Sequence, residues 1–148
     1  MYRHILVTSD GSEFSDPALR HAAQLARSVG SRLTVLHVIP DAHLDLSSGD
    51  DLSVEARTLE QGWMAESEMD FARISTLLAG TEFETQLVHA HHAHIAQVIR
   101  QEADRLGVDL IVMATHGRTG VAHLIHGSVA EDVMKHVAVP TLLIHRRG

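Results

Sequence analysis

Residues 110–120 read LIVMATHGRTG, an unbroken apolar run that leads directly into a segment with glycine at positions 117 and 120. Four consecutive large apolar residues are typical of a strand that is covered on both faces of a parallel sheet. Further apolar runs lie at Ile5–Val7, Leu33–Ile39 and Thr141–Ile144, with a weaker one at Glu82–His89. The sequence therefore predicts five short strands.

Helical periodicity fills the intervals between these runs. Apolar residues recur three or four positions apart in each interval, as in Leu19, Ala22 and Ala26; Phe71, Ile74 and Leu78; Ile95, Ile99 and Ala103; and Val129, Val133 and Val137. We predict the second helix from about Leu52 to Ala79, with a loop over residues 41–51 before it. The order βαβαβαβαβ predicts a single three-layer α/β domain over residues 1–148, with helices on both faces of an open parallel sheet.

The composition excludes several classes of protein. The net charge is −7 with neutral histidines, and the chain has a single lysine, so binding to nucleic acid is not expected. No apolar run reaches the roughly 18 residues that a membrane span requires, and the N-terminus lacks the pattern of a signal peptide. The absence of cysteine excludes disulfides and thiolate metal sites. We therefore expect a cytoplasmic protein with neither membrane nor nucleic acid as partner.

The segment after the fourth strand combines glycines with the start of a helix. Gly117 and Gly127 let backbone amides approach an anion closely, and Ser128 adds a hydroxyl where the last helix begins. His116 and Arg118 supply further donors. Ligands of parallel α/β sheets bind at this edge, beyond the carboxyl ends of the strands. The set predicts a phosphate cradle; the alternative is that the glycines only shape a turn and Ser128 only caps the helix.

The cradle does not follow the two common nucleotide-binding motifs. The one lysine does not follow a glycine, which excludes a P-loop, and G-x-G-x-x-G does not occur. The spacing instead resembles that of the universal stress protein family, whose ATP-binding members carry G-x2-G-x9-G-[S/T] after the fourth strand. Here the corresponding stretch is Ala114-x2-Gly117-x9-Gly127-Ser128, with alanine in place of the first glycine.

The resemblance extends over nearly the whole chain, from Ile5–Ser12 at the start to Val139–Ile144 at the end. Two positions depart from the family pattern. The methyl group of Ala114 crowds the nucleotide slightly without abolishing binding, and His126 stands where the family usually has an apolar residue.

The resemblance implies the adenine nucleotide alpha hydrolase-like fold, with strand order 3-2-1-4-5, and an ATP site. It implies that Asp10 lies by the nucleoside, that the backbone of Val38 meets adenine, and that Met113 and Ala114 lie against the sugar and base. The phosphates are implied to lie among the glycines and the start of the last helix, with Mg²⁺ or Mn²⁺ bound through them. The candidate nucleotide-binding residues are Thr8, Ser9, Asp10, Val38, Met113, Ala114, His116, Gly117, Arg118, Gly127, Ser128 and Val129.

Asp10 has two interpretations. Its carboxylate can accept hydrogen bonds from ribose hydroxyls or help to order a divalent cation that the phosphates hold. The alternative is an Asx turn with Gly11 and Ser12, in which the carboxylate binds its own backbone.

The resemblance also implies a homodimer that pairs its last strands, and Thr141–Ile144 has the apolar character of such an edge. It implies a nucleotide-dependent regulatory module of the stress response, with ATP as a ligand that is not turned over. One alternative is slow ATP hydrolysis or self-phosphorylation, with Ser128 or a nearby hydroxyl as acceptor and His116 or Arg118 stabilising charge. A second alternative is a dimerising adaptor that binds no nucleotide.

Four of the thirteen histidines crowd the junction between the third strand and the third helix: His89, His91, His92 and His94. Imidazole binds zinc, nickel and copper, but no acidic residue lies near these four, so we predict a solvated loop without a dedicated metal site. In a further interpretation some of them face the ATP pocket and make affinity depend on pH. The sequence identifies no partner for four other histidines, and we assign them to the surface or the core: His4, His21, His37 and His145.

We predict that Gly127→Val or Gly117→Val weakens ATP binding by about tenfold or more, ~1.4 kcal/mol, because a side chain intrudes on the phosphates. The fold should stay intact, which thermal unfolding checks. A direct titration with ATP measures the affinity, and an unchanged dissociation constant would contradict the cradle.

Overall fold

The computed structural model describes residues 1–40, 69–90, 94–115 and 129–145 of the chain. The strands are β1 (His4–Ser9), β2 (Arg32–Pro40), β3 (Glu84–Ala90), β4 (Leu110–Ala114) and β5 (Thr141–Ile144). The helices are α1 (Asp16–Val29), α2, which is described over residues 69–77, α3 (Ile95–Leu106) and α4 (Val129–His136). A short 3-10 turn (Glu13–Ser15) precedes α1. None of the helices within these ranges is both long and apolar enough to cross a membrane.

All five strands run parallel in one sheet, in the order β3-β2-β1-β4-β5. This confirms the predicted α/β fold class and strand order. β1 extends one residue before and two residues after the apolar run that predicted it, because pairing with neighbours extends a strand beyond its most apolar part. β3 begins two residues later and ends one residue later than predicted. Residues 69–77 are helical as predicted, while the predicted loop at 41–51 and the first part of the helix lie outside the described residues.

Apolar side chains cover both faces of the sheet and form two cores. The core under α1 and α2 includes Ile5, Val7, Leu33, Val35, Leu110, Val112, Leu19, Ala22, Ile74 and Leu78. The core under α3 and α4 includes Leu6, Leu36, Ile111, Met113, Ile99, Ala103, Ala130 and Val133. Successive residues of a strand point to opposite faces, so an unbroken apolar run supplies both cores at once.

The first crossover brings the chain back alongside β1. Helix α1 starts with Asp16 and Pro17 and ends at Gly30, which adopts a φ of +70° and donates its N–H to the carbonyl of Ala26. Two residues later the N–H of Arg32 donates to the carbonyl of Arg3 at 3.0 Å, and the parallel ladder between β1 and β2 begins.

At the amino ends of the strands, Asp109 ties β1 to β4. Its carboxylate accepts the backbone N–H of Arg3 at 2.8 Å and that of His4 at 3.1 Å, and the hydrogen bond from Arg3 above all lowers the pKa of Asp109. The adjacent His4 is buried, with its Nε2 2.7 Å from the Thr34 hydroxyl. Burial and the nearby charge of Arg32 lower the pKa of His4 below its ordinary value of 6.5, so the folded chain favours neutral His4.

We expect His4 to make the free energy of unfolding fall as the pH drops below 6.5. The unfolded chain takes up a proton there with the ordinary pKa, whereas the folded chain resists it, so acid favours unfolding; well above 6.5 both forms are neutral. His4→Gln keeps a polar group beside Thr34 and should lose stability less steeply in acid. Urea unfolding of both chains on either side of pH 6.5 measures the difference, and parallel pH profiles would contradict this account.

Candidate functional site

The strand order reverses between β1 and β4, and the two strands separate at their carboxyl ends. Their paired register runs from Ile5↔Leu110 to Val7↔Val112, although β1 continues to Ser9 and β4 to Ala114. Past that point each strand pairs only with its outer neighbour, β2 or β5. Ligands of doubly wound sheets bind in this kind of opening, which we call the β1–β4 crevice.

Asp10 follows β1 directly and fixes the loop to α1 with one carboxylate oxygen. Its Oδ1 accepts the backbone N–H of Ser12 at 2.9 Å, the Ser12 hydroxyl at 2.6 Å and the Ser15 hydroxyl at 2.8 Å. The bond from the Ser12 N–H is that of an Asx turn, so this interpretation of Asp10 is confirmed. Three donors on one oxygen hold the carboxylate in a single orientation.

The second carboxylate oxygen of Asp10 has a different environment. Oδ2 is buried and accepts no hydrogen bond from any residue that the structure describes. Leaving a buried acceptor without a donor costs on the order of 1–3 kcal/mol, so this oxygen favours a ligand that supplies one. An ionised carboxylate only accepts hydrogen bonds, which fits a hydroxyl or a cation. The turn thus occupies one oxygen of the side chain and leaves the other available.

The two predicted residues before Asp10 have different roles: Ser9 stabilises the loop, and Thr8 lies at the crevice. Ser9 is buried, and its hydroxyl accepts the Gly11 N–H at 3.2 Å, so it stabilises the turn. Thr8 is half-buried and pairs with Leu36 of β2, one residue past the last pairing between β1 and β4. Thr8 is therefore at the mouth of the crevice, and Ser9 is part of its support.

The other predicted residues within the described ranges also lie at this edge. Val38 is the first β2 residue past the pairing with β1, while Val88 of β3 still pairs with it. Met113 and Ala114 end β4 past its pairing with β1, and Val129 begins α4. The side chains of Val38 and Met113 are buried in the core under α3 and α4, which leaves their backbone as the part that a ligand can meet. Outside the described residues lie His116, Gly117, Arg118, Gly127 and Ser128.

Comparison with known proteins agrees with the fold. A model of the universal stress protein family matches residues 1–145. The chain belongs to this family. Universal stress protein A homolog 1 of Coxiella burnetii is 32% identical over 143 residues, covering 96% of this chain and 94% of that protein.

Two solved structures extend the comparison to three dimensions. The protein MJ0577 of Methanocaldococcus jannaschii is 29% identical over 162 residues, covering 100% of this chain and 98% of that protein. Its solved structure superposes with a TM-score of 0.79 and covers 100% of this chain and 99% of that one. The universal stress protein from Archaeoglobus fulgidus, solved in complex with dAMP, has a TM-score of 0.65 at 23% identity and covers 97% and 98% of the two chains.

The histidine-rich junction of this universal stress protein is only partly described. His89 lies near the carboxyl end of β3, and His94 directly precedes α3. Both side chains are exposed. His91 and His92 lie outside the described residues. Within the described ranges no three His, Asp or Glu side chains come together as a metal site would require.

Sequence reasoning missed four charged or titratable side chains beside the Asp10 loop. His37 of β2 has its Nε2 3.8 Å from a carboxylate oxygen of Asp70 on α2, and the other Asp70 oxygen is 3.8 Å from Nε of Arg73. The Arg73 guanidinium also donates to the carboxylate of Asp16 at the start of α1. We call these four side chains the Arg73 bridge. The one local signal was the spacing of three between Asp70 and Arg73, which is common on helices.

Gly11 packs directly against this bridge. It adopts a φ of +81°, and a Cβ placed on it would lie 2.5 Å from Oδ2 of Asp70 and 3.2 Å from Nε2 of His37. Both the backbone conformation and the space therefore require glycine after Asp10.

We predict that Gly11→Ala lowers the free energy of unfolding more than the matched change Gly30→Ala. Both glycines adopt a left-handed backbone conformation, so each alanine lowers the free energy of unfolding by about 1 kcal/mol from backbone strain alone. At Gly30 no atom lies within 4 Å of the added methyl group, whereas at Gly11 the methyl group displaces Asp70 from His37. Denaturant unfolding compares the two variants. An equal decrease in the free energy of unfolding would show that the added methyl group at Gly11 does not disturb the bridge.

Proposed function

We propose that this universal stress protein binds an adenine nucleotide, ATP above all, in the β1–β4 crevice and acts as a dimeric nucleotide-dependent regulatory module. One observation carries the proposal. The buried Oδ2 of Asp10 has no donor among the described residues, directly beside the opening where β1 and β4 separate. A ribose hydroxyl is a neutral donor of the kind this oxygen lacks.

The residues around Asp10 suit the rest of a nucleoside. Val38 lies past the β1 ladder, so its backbone edge toward β1 is available for the hydrogen-bonding edge of adenine. Met113 and Ala114 lie past the pairing of β4 with β1, and the backbone of Met113, whose side chain is buried in the core, is available to contact the sugar and base. An aromatic base and a sugar need this combination of apolar surface and a few fixed polar groups.

The phosphates would then extend toward the glycines at positions 117 and 127 and the start of α4. The first turn of α4 carries Glu131 and Asp132, whose negative charges oppose a triphosphate. Mg²⁺ or Mn²⁺ bound through the phosphate oxygens would offset that repulsion, and we include the cation in the proposal. The dAMP bound by the Archaeoglobus fulgidus protein supports an adenine nucleotide as the ligand of this fold.

We also propose that two copies associate through β5. This strand forms the edge of the sheet beside β4, and each of its four residues, Thr141–Ile144, is half-buried. An apolar edge that pairs on one side only invites a second strand. We further propose a cytoplasmic location, and the net charge of −7 disfavours non-specific binding to nucleic acid or to an anionic membrane surface. A solution mass equal to one chain would overturn the dimer.

We expect Asp10→Asn to weaken ATP binding by about tenfold or more while the loop keeps its shape. The asparagine Oδ1 can still accept from Ser12 and Ser15, but an NH2 group replaces Oδ2, so the ribose hydroxyl meets a donor in place of an acceptor. Calorimetric titration of the native chain and the variant with ATP, ADP and AMP in the presence of Mg²⁺ measures the effect.

The control is Asp104→Asn on α3, which removes the same charge at an exposed position away from the crevice and should leave affinity unchanged. If the native chain binds none of the three nucleotides at millimolar concentration, the proposed function fails. Turnover of labelled ATP above the background rate would favour the alternative of slow hydrolysis over a purely regulatory role.

A further inference from the structure

The Arg73 bridge connects three elements at the rim of the crevice. Asp70 on α2 reaches both His37 of β2 and Arg73, each at 3.8 Å, and Arg73 continues to Asp16 of α1. The side chains are partly shielded, with 15% of His37, 19% of Asp70, 20% of Asp16 and 34% of Arg73 exposed. Ion pairs with this degree of shielding are less screened by salt than pairs on an open surface.

The bridge holds the Asp10 loop at both of its ends. Near the start of the loop, Gly11 packs so closely against Asp70 and His37 that a side chain at this position would displace Asp70. At the end of the loop, Asp16 accepts from Arg73 and directly follows Ser15, whose hydroxyl holds Oδ1 of Asp10. A shift of α2 would therefore move both supports of the Asp10 carboxylate together.

We propose that Asp70 and Arg73 are positioning residues for the nucleotide site and that they couple nucleotide binding to the stability of α2. This inference rests on the proposed function. Asp10 can meet a ribose hydroxyl only if its loop is held in place. Because the bridge supports the loop, the position of the loop depends on α2. Because coupling between two sites is reciprocal, a nucleotide that fixes the loop also stabilises α2 against local opening. The face of α2 toward the bridge thus becomes sensitive to whether the crevice is filled.

Two measurements on the full chain test the coupling. The first is the dissociation constant for ATP with Mg²⁺; the second is the amide hydrogen exchange of residues 69–77 with and without saturating ATP. In the native chain ATP should slow this exchange. Arg73→Met removes the guanidinium but keeps an unbranched side chain, and should weaken ATP binding about fivefold or more and remove the effect of ATP on α2 exchange.

The matched control is Arg105→Met, which breaks the exposed Arg105–Glu102 pair on α3 and should leave both readouts native. Asp70→Asn serves as an isosteric second variant of the bridge and should behave like Arg73→Met, so the test does not depend on one variant folding. A purely structural role of Arg73 would lower thermal stability without removing the response of α2 to ATP.

The possible failures are distinguishable. If the native chain binds ATP and both bridge variants bind it with native affinity, the inference is overturned and the proposed function stands. If ATP binds but leaves the exchange of residues 69–77 unchanged in the native chain, the coupling is likewise overturned. If the native chain binds no adenine nucleotide, the proposed function and the inference fail together.

Discussion

β1 is paired on both sides and covered on both faces, and the rest of the molecule is arranged around this constraint. Ile5, Leu6 and Val7 have no exposed surface at all. Ile5 and Val7 face the core under α1 and α2, and Leu6 faces the core under α3 and α4. A strand in this position can lie only at the centre of the sheet. The connections from β1 and from β4 lead to opposite sides of the sheet. The two strands therefore separate at their carboxyl ends, and this separation forms the crevice.

The two ends of β1 use an aspartate in different ways. At the amino end, the Asp109 carboxylate accepts the backbone N–H groups of Arg3 and His4 and ties β1 to β4. At the carboxyl end, Asp10 satisfies one oxygen with its own loop and leaves the other buried without a described donor. The first aspartate stabilises the fold fully within the chain. The second retains an unsatisfied acceptor, as expected of a residue whose remaining partner is a ligand.

The Arg73 bridge gives the site a connection to one face of the molecule. The core under α1 and α2 is apolar along most of the sheet, but near the crevice it gives way to His37, Asp70, Arg73 and Asp16. The ion pair between Arg73 and Asp16 joins α2 to α1, and Asp70 lies near His37 of β2, so the bridge links these three elements through polar contacts. Under our proposal the same connection makes α2 the element that responds to nucleotide.

The sequence alone determined the strands and the fold class, since a strand buried on both faces must be a continuous apolar run and helices must keep their local period. The resemblance to the universal stress protein family pointed to Asp10, and its place after a buried strand agrees with the carboxyl edge of the sheet. The tertiary structure alone decided which oxygen of Asp10 the turn uses and that Ser15 supports it. It also decided that His37, which the sequence left without a partner, meets Asp70. Contacts between elements far apart in the chain depend on how helices pack on the sheet, and no local pattern of residues records that packing.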